Sequence, residues 1–587
     1  MANRNFLIVA GICIVALAAI LTGVLVITNQ EPEPENVEEF EYEIPSQGLI
    51  KGSKINIFEE PAYEFFNIPF AEPPINDLRY APPVYEPWPT WEGVRNGRKK
   101  ANRCMQKDAH DSDIYHFDED CLYLAVATNS FDENKNNPVL VYFHGGSFWT
   151  GTGDFWSTDM TLLANQGITV VSVNYRLGTL GFAGFESEFL GKRTVGNFGL
   201  MDQYAALQWV TENIKYFGGD PQKVTVFGES AGAESSMAQV LWEDSFQNHN
   251  IVSAIPISWP VLPYKDEDES VDMCLRLARK LDCVAGIGRN KHADVNCMRE
   301  KDALVIASTI IVPLASLRHL SANAQLWPPT VDGSIVKQQP IDAVKERIQA
   351  GTLPPILTGV ASEEGVSLIT TIFGNPGGQQ MYELSVDVIF HGIQKEVKEL
   401  YPYDENTVNQ GEDARVILSQ MMTDYAFHCP SRYLANLNTQ SDSSSYIFYW
   451  HRPWNTGNPP TSFNPMNCRS VACHTEIHRW MFGDHKKLST YWKYGEENED
   501  IDLDPKFMNR YPDGPVVEDV DVSIDDDMLL VIKEFLDTKK ISSWPILDEN
   551  NDYLSRDLLK NGTWANTYSY RGEFCSFWDN LDKYSYF

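Results

Sequence analysis

A short serine motif flanked by glycines constrains the fold of this chain more than any other feature. The segment Gly228-Glu229-Ser230-Ala231-Gly232 follows an apolar run at residues 224–227 and precedes a stretch of helix-forming residues. Glycines on both sides of a sharp turn remove Cβ clashes, so a serine can be held in a strained backbone conformation with its Oγ exposed. The pattern predicts a strand, a nucleophile elbow at Ser230 and a helix, although Gly-x-Ser-x-Gly also recurs by chance in loops.

Apolar, strand-like runs alternate with helical patterns along the chain. Strands are predicted at residues 139–143, 170–173, 224–227, 356–360 and 446–450, and a helix at 202–214. This alternation is typical of a mostly parallel sheet with helices on its faces. No low-complexity linker divides residues 46–587, so we expect one large α/β domain there. Functional side chains in such a sheet lie on loops that leave the strand ends.

The first 45 residues predict a membrane attachment. Residues 6–28 contain no charged side chain and are long enough, as a helix, to cross a ~30 Å hydrocarbon layer. Arg4 precedes this run and several glutamates follow it, so the positive-inside rule predicts a cytosolic tail at 1–5, a signal anchor at 6–28 and an acidic spacer at 29–45. The catalytic part would then be extracellular or lumenal. The alternative is a long signal peptide cleaved near residues 16–19, which would give a secreted protein.

Net charge and cysteine content indicate which binding partners and which cellular compartment this protein can have. The formal net charge of −34 argues against a nucleic-acid partner, because a phosphate backbone needs a basic face. Ten cysteines agree with an oxidising compartment, and Asn561 begins a glycosylation sequon. The acidic stretch 496–527 lacks the pattern of an EF-hand loop and is predicted to be a solvated surface insertion. The oligomeric state stays open, a homodimer included.

Two further residues have the chemistry and chain order that a reactive serine needs. A serine hydroxyl is a weak nucleophile near neutral pH, so a base must take its proton and a third group must orient the base. Glu364 follows the predicted strand at 356–360, and His474 follows the predicted strand at 446–450. The order serine, acid, histidine is that of α/β-hydrolases. Ser230, Glu364 and His474 are therefore the candidate triad.

Residues 144–148, His-Gly-Gly-Ser-Phe, follow the predicted strand at 139–143 and can bring backbone N–H groups close to a substrate. Together with the amide of Ala231, they predict an oxyanion hole for a tetrahedral intermediate. His474 and His478 also have the four-residue spacing of a zinc-binding helix. The zinc-protease motif, however, has Glu where Thr475 stands, so no metal is predicted.

Several more segments form an ordered set of motifs, namely FNIPFAEPP at 66–74, EDCLYL at 119–124, NYRLG at 174–178, GNFGLMDQ at 196–203 and FGGDP at 217–221. With the elbow, they resemble the type-B carboxylesterase and cholinesterase-like family of α/β-hydrolases, and the likeness covers nearly everything from about residue 50 onwards. The resemblance implies the α/β-hydrolase fold and cleavage of small-molecule carboxylic esters. It also implies that no metal or organic cofactor is required.

Residue by residue, the resemblance makes Ser230 the nucleophile, His474 the general base and Glu364 the orienting acid. The backbone amides of Gly146, Ser147 and Ala231 take the oxyanion role. The implied cycle is acylation of the serine, loss of an alcohol and hydrolysis of the acyl-enzyme by water. The resemblance also implies four disulfide bridges, which join Cys104 to Cys121, Cys283 to Cys297, Cys429 to Cys575 and Cys468 to Cys473. Cys274 is left unpaired.

Two departures from the family pattern bear on function. Ser147 stands where the family usually has a third glycine, and a positive φ there would be strained. Choline-hydrolysing members carry a tryptophan inside the loop closed by the first bridge, but none lies between Cys104 and Cys121. A cholinesterase is therefore not expected. The competing hypothesis is a catalytically silent, neuroligin-like adhesion ectodomain, which the predicted anchor and the acidic surface motivate.

Overall fold

The computed structural model describes residues 37–56, 60–107, 109, 116–153, 160–185, 196–288, 291–311, 325, 327–390, 392–404, 413–439, 444–453, 464–468, 470–486, 518–546 and 555–581. The predicted tail at 1–5 and the predicted anchor at 6–28 lie outside these ranges. Among the described residues, no helix combines the length and the apolar character that crossing a bilayer requires.

The strands, in chain order, are β1 (Val37–Ile44), β2 (Gly48–Ile55), β3 (Ala62–Pro69), β4 (Val94–Asn96), β5 (Arg103–Cys104), β6 (Phe117–Asp118), β7 (Tyr123–Thr128), β8 (Asn137–Phe143), β9 (Thr169–Val173), β10 (Gly219–Glu229), β11 (Ile251–Ile257), β12 (Lys265–Asp266), β13 (Val284–Ala285), β14 (His292–Ala293), β15 (Thr330–Val331), β16 (Ile356–Ala361), β17 (Ser445–Trp450), β18 (Ser555–Leu558) and β19 (Trp564–Thr567).

One large sheet contains most of these strands, in the order β1-β2-β3-β7-β9-β8-β10-β11-β16-β17-β18-β19, with β4 beside β2. Neighbours from β9 through β18 run parallel, whereas β1, β2, β3, β7 and β9 form antiparallel pairs at one side and β18 pairs antiparallel with β19 at the other. Three two-stranded sheets pair β5 with β6, β12 with β15 and β13 with β14.

The α-helices are Thr161–Asn165, Gly178–Phe182, Phe198–Asn213, Ala231–Leu241, Glu243–Asn248, Glu267–Lys280, Val295–Arg299, Ala303–Ser308, Pro340–Gln349, Gly365–Ile372, Gln379–Ile389, Gln394–Leu400, Arg415–Met422, Cys429–Thr439, Glu476–Met481, Asp519–Thr538 and Gly572–Leu581. Short 3₁₀ turns cover Asn76–Leu78 and Ile214–Phe217, and a π-helical turn covers Thr423–His428.

The central strands are apolar throughout because both faces of the sheet are covered. In β8, Val139, Val141 and Phe143 belong to one core cluster, whereas Leu140 and Tyr142 belong to a second cluster on the other face. The two-residue period of a strand separates the two sets. The sheet is thus the middle layer between two packed cores, and the strand ends are the places where loops can carry polar side chains.

The structure confirms the predicted elements that form this layer. The predicted strands at 139–143, 170–173, 224–227, 356–360 and 446–450 lie within β8, β9, β10, β16 and β17. The predicted helix at 202–214 corresponds to Phe198–Asn213, which begins four residues earlier. The large, mostly parallel sheet agrees with the α/β-hydrolase architecture.

Two acidic segments differ from their predictions. The predicted spacer at 29–45 overlaps β1, which pairs along its whole length with β2, so the sheet begins at Val37 rather than after residue 45. Phe40 and Tyr42 explain this, because they alternate with glutamates and their rings pack against Phe131. The predicted solvated insertion at 496–527 overlaps the helix Asp519–Thr538, and Asp525 in that helix is fully buried.

Four disulfide bridges connect the same cysteine pairs that the resemblance implied. The bridge from Cys429 to Cys575 spans 146 residues and ties the helix at Cys429–Thr439 to the last described helix. Cys274 is an unpaired, buried thiol. Burial among apolar side chains raises the pKa of its thiol, which makes it a packing group rather than a reactive one.

Candidate active site

Ser230 lies on a strained turn between β10 and the helix Ala231–Leu241, which we call the elbow helix. Its backbone has φ 58° and ψ −127°, a combination that residues other than glycine rarely adopt. A Cβ on Gly228 would lie 2.1 Å from the Gly232 carbonyl oxygen, and a Cβ on Gly232 would lie 2.0 Å from that of Phe143. The two glycines of the motif are therefore required by steric contact, as the sequence predicted.

The three predicted triad residues lie in one hydrogen-bonded row. Nε2 of His474 lies 2.8 Å from Oγ of Ser230, and Nδ1 of His474 lies 2.6 Å from Oε2 of Glu364. A carboxylate only accepts hydrogen bonds, so Nδ1 carries the proton that it donates to Glu364 and Nε2 is left to accept from the serine hydroxyl. The structure thus brings together side chains that are 110 and 244 residues apart in the chain.

Neighbouring strands place the acid and the histidine next to each other. Glu364 follows β16, and the loop that contains His474 follows β17, the parallel neighbour of β16. An isolated parallel bridge joins Glu363 to Cys473, and the amide of Glu363 donates to the Ala472 carbonyl at 3.0 Å. The bridge from Cys468 to Cys473 closes a short loop directly before His474. Backbone contacts on both sides therefore fix the separation of the two side chains.

The carboxylate of Glu364 is fully buried and has two further donors. Oε1 accepts from the Ser258 hydroxyl at 2.6 Å and from the Ala361 amide at 2.7 Å. Sequence reasoning missed Ser258, although it directly follows β11, the strand between β10 and β16 in the sheet. A serine at that strand end was the available signal. With these bonds, the carboxylate can turn only one oxygen towards His474.

Glu229, the residue before the serine, is a second acid near the imidazole. Its Oε1 lies 3.5 Å from Nε2 of His474, and its side chain is buried. Burial raises the pKa of Glu229 to about 7. The charge of His474 acts to lower that pKa, and the charge of Glu364 acts to raise it. Burial lowers the pKa of His474, but the charges of Glu229 and Glu364 outweigh it and raise that pKa to about 9. The sequence showed Glu229 only as a variable position of the elbow motif.

The predicted oxyanion segment lies beside the serine. A Cβ on Gly145 would come within 3.2 Å of the Ser230 Cβ, and Gly146 has φ 113°. Ser147 has φ 55°, the strained positive value considered for this departure from glycine. Ala231 is the first residue of the elbow helix, so its amide has no partner within the helix. Among the described residues, the amides of Gly146, Ser147 and Ala231 have no backbone acceptor.

The other predicted positions lie apart from this centre. Nδ1 of His478 donates to the carbonyl of Thr475 at 2.6 Å, within its own helical turn. In the described ranges, no three His, Cys, Asp or Glu side chains converge as metal ligands would. Asn561 is exposed in the turn between β18 and β19, where its Oδ1 accepts from the Thr563 hydroxyl at 2.7 Å. Glycosylation at Asn561 stays a prediction.

The sequence matches the model of a known protein family over most of its length. Residues 40–511 match the model of the carboxylesterase family. The chain belongs to the carboxylesterase family. The cAMP-regulated D2 protein of Dictyostelium discoideum is 32% identical over 471 residues, which cover 79% of this chain and 82% of that protein.

Two relatives within the carboxylesterase family have names of ester hydrolases. Cholinesterase of Mus musculus is 30% identical over 69% of this chain and 70% of its own length. Carboxylesterase 5A of the same organism is 27% identical over 87% of this chain and 84% of its own length. Membership of this family agrees with the resemblance that the motifs carried and supports hydrolysis of carboxylic esters as the class of reaction.

Proposed function

We propose that the protein is a serine hydrolase that cleaves small-molecule carboxylic esters through an acyl-enzyme. The observation that carries the proposal is the unbroken row from Ser230 Oγ to His474 Nε2, at 2.8 Å, and from His474 Nδ1 to Glu364 Oε2, at 2.6 Å. An adhesion or binding domain has no need for this alignment. The strained backbone of Ser230 supports the same role, because it holds the hydroxyl in a reactive position at a cost in conformational energy.

In the proposed reaction, His474 accepts the hydroxyl proton of Ser230 while Oγ attacks the ester carbonyl carbon. Glu364 holds the ring in the required tautomer and stabilises the imidazolium. The negative charge that develops on the carbonyl oxygen is met by the amides of Gly146, Ser147 and Ala231. His474 then returns the proton to the departing alcohol. Water, deprotonated by the same imidazole, attacks the acyl carbon and restores the free serine.

The electrostatics of the site support this role for His474 and set its pH range. A general base must be neutral before it accepts a proton, and the pKa of His474 is raised to about 9 by Glu229 and Glu364 against the effect of burial. Turnover is therefore expected to increase towards alkaline pH. The two carboxylates also stabilise the imidazolium that forms as Oγ attacks.

The proposal places the catalytic domain outside the cytosol. Four disulfide bridges favour an oxidising compartment, where such bridges persist. The uncharged run at residues 6–28 would anchor the domain to a membrane as a signal anchor, or would direct its secretion if cleaved. Protease protection of the full chain in sealed microsomes tests this part, because a cytosolic catalytic domain would be digested.

The reaction is tested by covalent labelling with a fluorophosphonate probe and by turnover of 4-nitrophenyl acetate and butyrate. We expect labelling of the wild-type chain at Ser230 and loss of both labelling and turnover in Ser230→Ala. Ser576→Ala, whose hydroxyl bonds to the Gly572 carbonyl in the last described helix, serves as the control and should retain both. A wild-type chain that is neither labelled nor active would refute the proposal and favour the adhesion ectodomain.

A further inference from the structure

A buried phenylalanine, Phe427, packs against the imidazole of the candidate general base. The centre of its ring lies 5.1 Å from the ring centre of His474, and the two ring planes are inclined by 55°. Phe427 is buried, so the protein surrounds its ring. The separation is typical of aromatic pairs in contact. The imidazole therefore has a hydrocarbon ring on one side and cannot turn that way without displacing it.

Phe427 belongs to the π-helical turn at residues 423–428, which is anchored at both ends. At its start, the Thr423 hydroxyl accepts a hydrogen bond at 2.9 Å from the amide of Gly365, the residue after the candidate acid. Directly after its end, Cys429 is fixed by a disulfide bridge. Turns of this kind are rare and frequently lie at functional sites. Its anchors hold the Phe427 backbone in place.

Two further contacts hold the middle of the π-helical turn. Asp424 is fully buried, and both of its carboxylate oxygens accept from the guanidinium of Arg571. The carbonyl of Ala426 accepts from the amide of Val261 at 2.9 Å. Val261 lies three residues after Ser258, whose hydroxyl binds the candidate acid. The turn is thus tied to a strand end that also supports the triad.

The imidazole depends on its neighbours most after the serine is acylated. In the free protein, Ser230 holds Nε2 of His474 at 2.8 Å and Glu364 holds Nδ1 at 2.6 Å. Once Oγ carries the acyl group it has no hydrogen to donate, so the bond to Nε2 is lost. Oε1 of Glu229, 3.5 Å from Nε2, forms no hydrogen bond with it. One hydrogen bond alone leaves the ring free to tilt.

We propose that Phe427 is a positioning residue that keeps the imidazole of His474 aligned while water cleaves the acyl-enzyme. In that step Nε2 takes a proton from water as the water oxygen bonds to the acyl carbon. The bond from the acyl carbon to Oγ of Ser230 then breaks, and Oγ recovers the proton from the imidazolium. Phe427 contacts neither water nor ester and acts only through His474. The inference rests on the proposed hydrolase function.

The two half-reactions should respond differently to loss of the ring. Acylation begins with both hydrogen bonds to His474 in place, so it depends little on Phe427. Deacylation begins with one of them missing, and a misplaced base slows proton transfer. A general loss of packing or of folded protein would instead lower both rates alike. The ratio of the two rate constants therefore separates positioning from a structural role.

The test uses 4-nitrophenyl dimethylcarbamate and the full chain, as wild type and as Phe427→Leu. Release of nitrophenol measures carbamoylation of Ser230. After removal of the reagent by gel filtration, the return of 4-nitrophenyl butyrate turnover measures hydrolysis of the carbamoyl-enzyme. In Phe427→Leu we expect this recovery to be about tenfold slower, and carbamoylation to stay within about threefold of the wild-type rate. Equal recovery rates, or equal decreases in both rates, would overturn the inference.

Tyr425→Leu is the matched control. Tyr425 lies in the same turn and is fully buried, but its ring packs on Phe390 and Trp578. This variant should lower the melting temperature as Phe427→Leu does and leave both rate constants unchanged. Slow recovery in Tyr425→Leu as well would indicate a packing effect and contradict the positioning role.

Phe427→Met provides a second variant if Phe427→Leu does not fold. A methionine side chain fills much of the same space but is flexible and has no ring, so recovery should again be slower while carbamoylation is nearly unchanged. A wild-type chain that releases no nitrophenol would overturn the hydrolase proposal together with this inference. An active wild type whose rate ratio is the same in Phe427→Met would overturn this inference alone.

Discussion

Replacement of Glu229 by Gln should move the acid limb of the pH–activity profile to lower pH. Glu229 lies 3.5 Å from Nε2 of His474, and its negative charge stabilises the imidazolium. Gln has nearly the same shape but no charge. Without that charge the imidazole loses its proton at lower pH, and the neutral, basic form is present over a wider range.

The size of the shift follows from the distance. Two unit charges 3.5 Å apart interact by about 5 kcal/mol at an effective dielectric constant of about 20, which corresponds to an upper limit of about 3.5 pKa units. The pKa of Glu229 is itself raised to about 7, so this acid is only partly charged near neutral pH. Glu364 remains in place and continues to raise the pKa of His474. We therefore expect a shift of about 1–3 pH units.

The assay is kcat/KM for 4-nitrophenyl acetate between pH 5 and pH 10, read at the isosbestic wavelength of nitrophenol and corrected for spontaneous hydrolysis. Glu229→Asp keeps the charge and should retain most of the wild-type profile. Glu234→Gln replaces another buried acid of the elbow region and should leave the acid limb in place. An acid limb that stays at the wild-type pH in Glu229→Gln would show that His474 does not respond to Glu229, and the electrostatic reasoning would fail.

Three further outcomes are expected. Ser258→Ala removes the hydroxyl that bonds to Glu364 and should lower kcat about tenfold with little change in KM, whereas Ser258→Thr should restore it; equal kcat for all three proteins would contradict this. Burial raises the pKa of Glu234 well above 4.5, so the wild type loses stability as pH rises through that raised pKa. Glu234→Gln should therefore raise the melting temperature more at pH 8 than at pH 5. An equal rise at both pH values would count against this assignment. Replacing Cys429 and Cys575 with Ser opens a loop of 146 residues and should lower the unfolding free energy by about 5 kcal/mol in the chain-entropy account, so an unchanged guanidinium midpoint would disprove it.

The elbow and the central strands were predictable because their causes are local. Glycines at 228 and 232 are required by contacts within a few residues of the serine or with the adjacent strand, and apolar runs mark strands that are buried on both faces. The chain order of Ser230, Glu364 and His474 then followed from motifs at successive strand ends. The structure adds the hydrogen-bond distances that make these three side chains a single row.

The secondary structure of the acidic segments was harder to predict, because their acidic composition indicated solvated chain while the spacing of their apolar residues indicated packed elements. The segment Val37–Ile44 alternates apolar and acidic side chains, as a strand with one packed face does, yet its acidic content favoured a spacer. Asp525 is buried because other parts of the chain pack over it. The acidic stretch itself contains no pattern that predicts this burial.

The sequence by itself was sufficient to predict the backbone elements of the site, because steric contacts and the periodic spacing of apolar residues act over a few neighbouring positions. Its electrostatic environment arose only on folding. Ser258 supports Glu364 from another strand end, and Oε1 of Glu229 lies 3.5 Å from Nε2 of His474, which comes from a distant part of the chain. Hydrogen bonds and Coulomb forces depend on separation in space, and that separation is fixed only when the sheet sets its strands side by side.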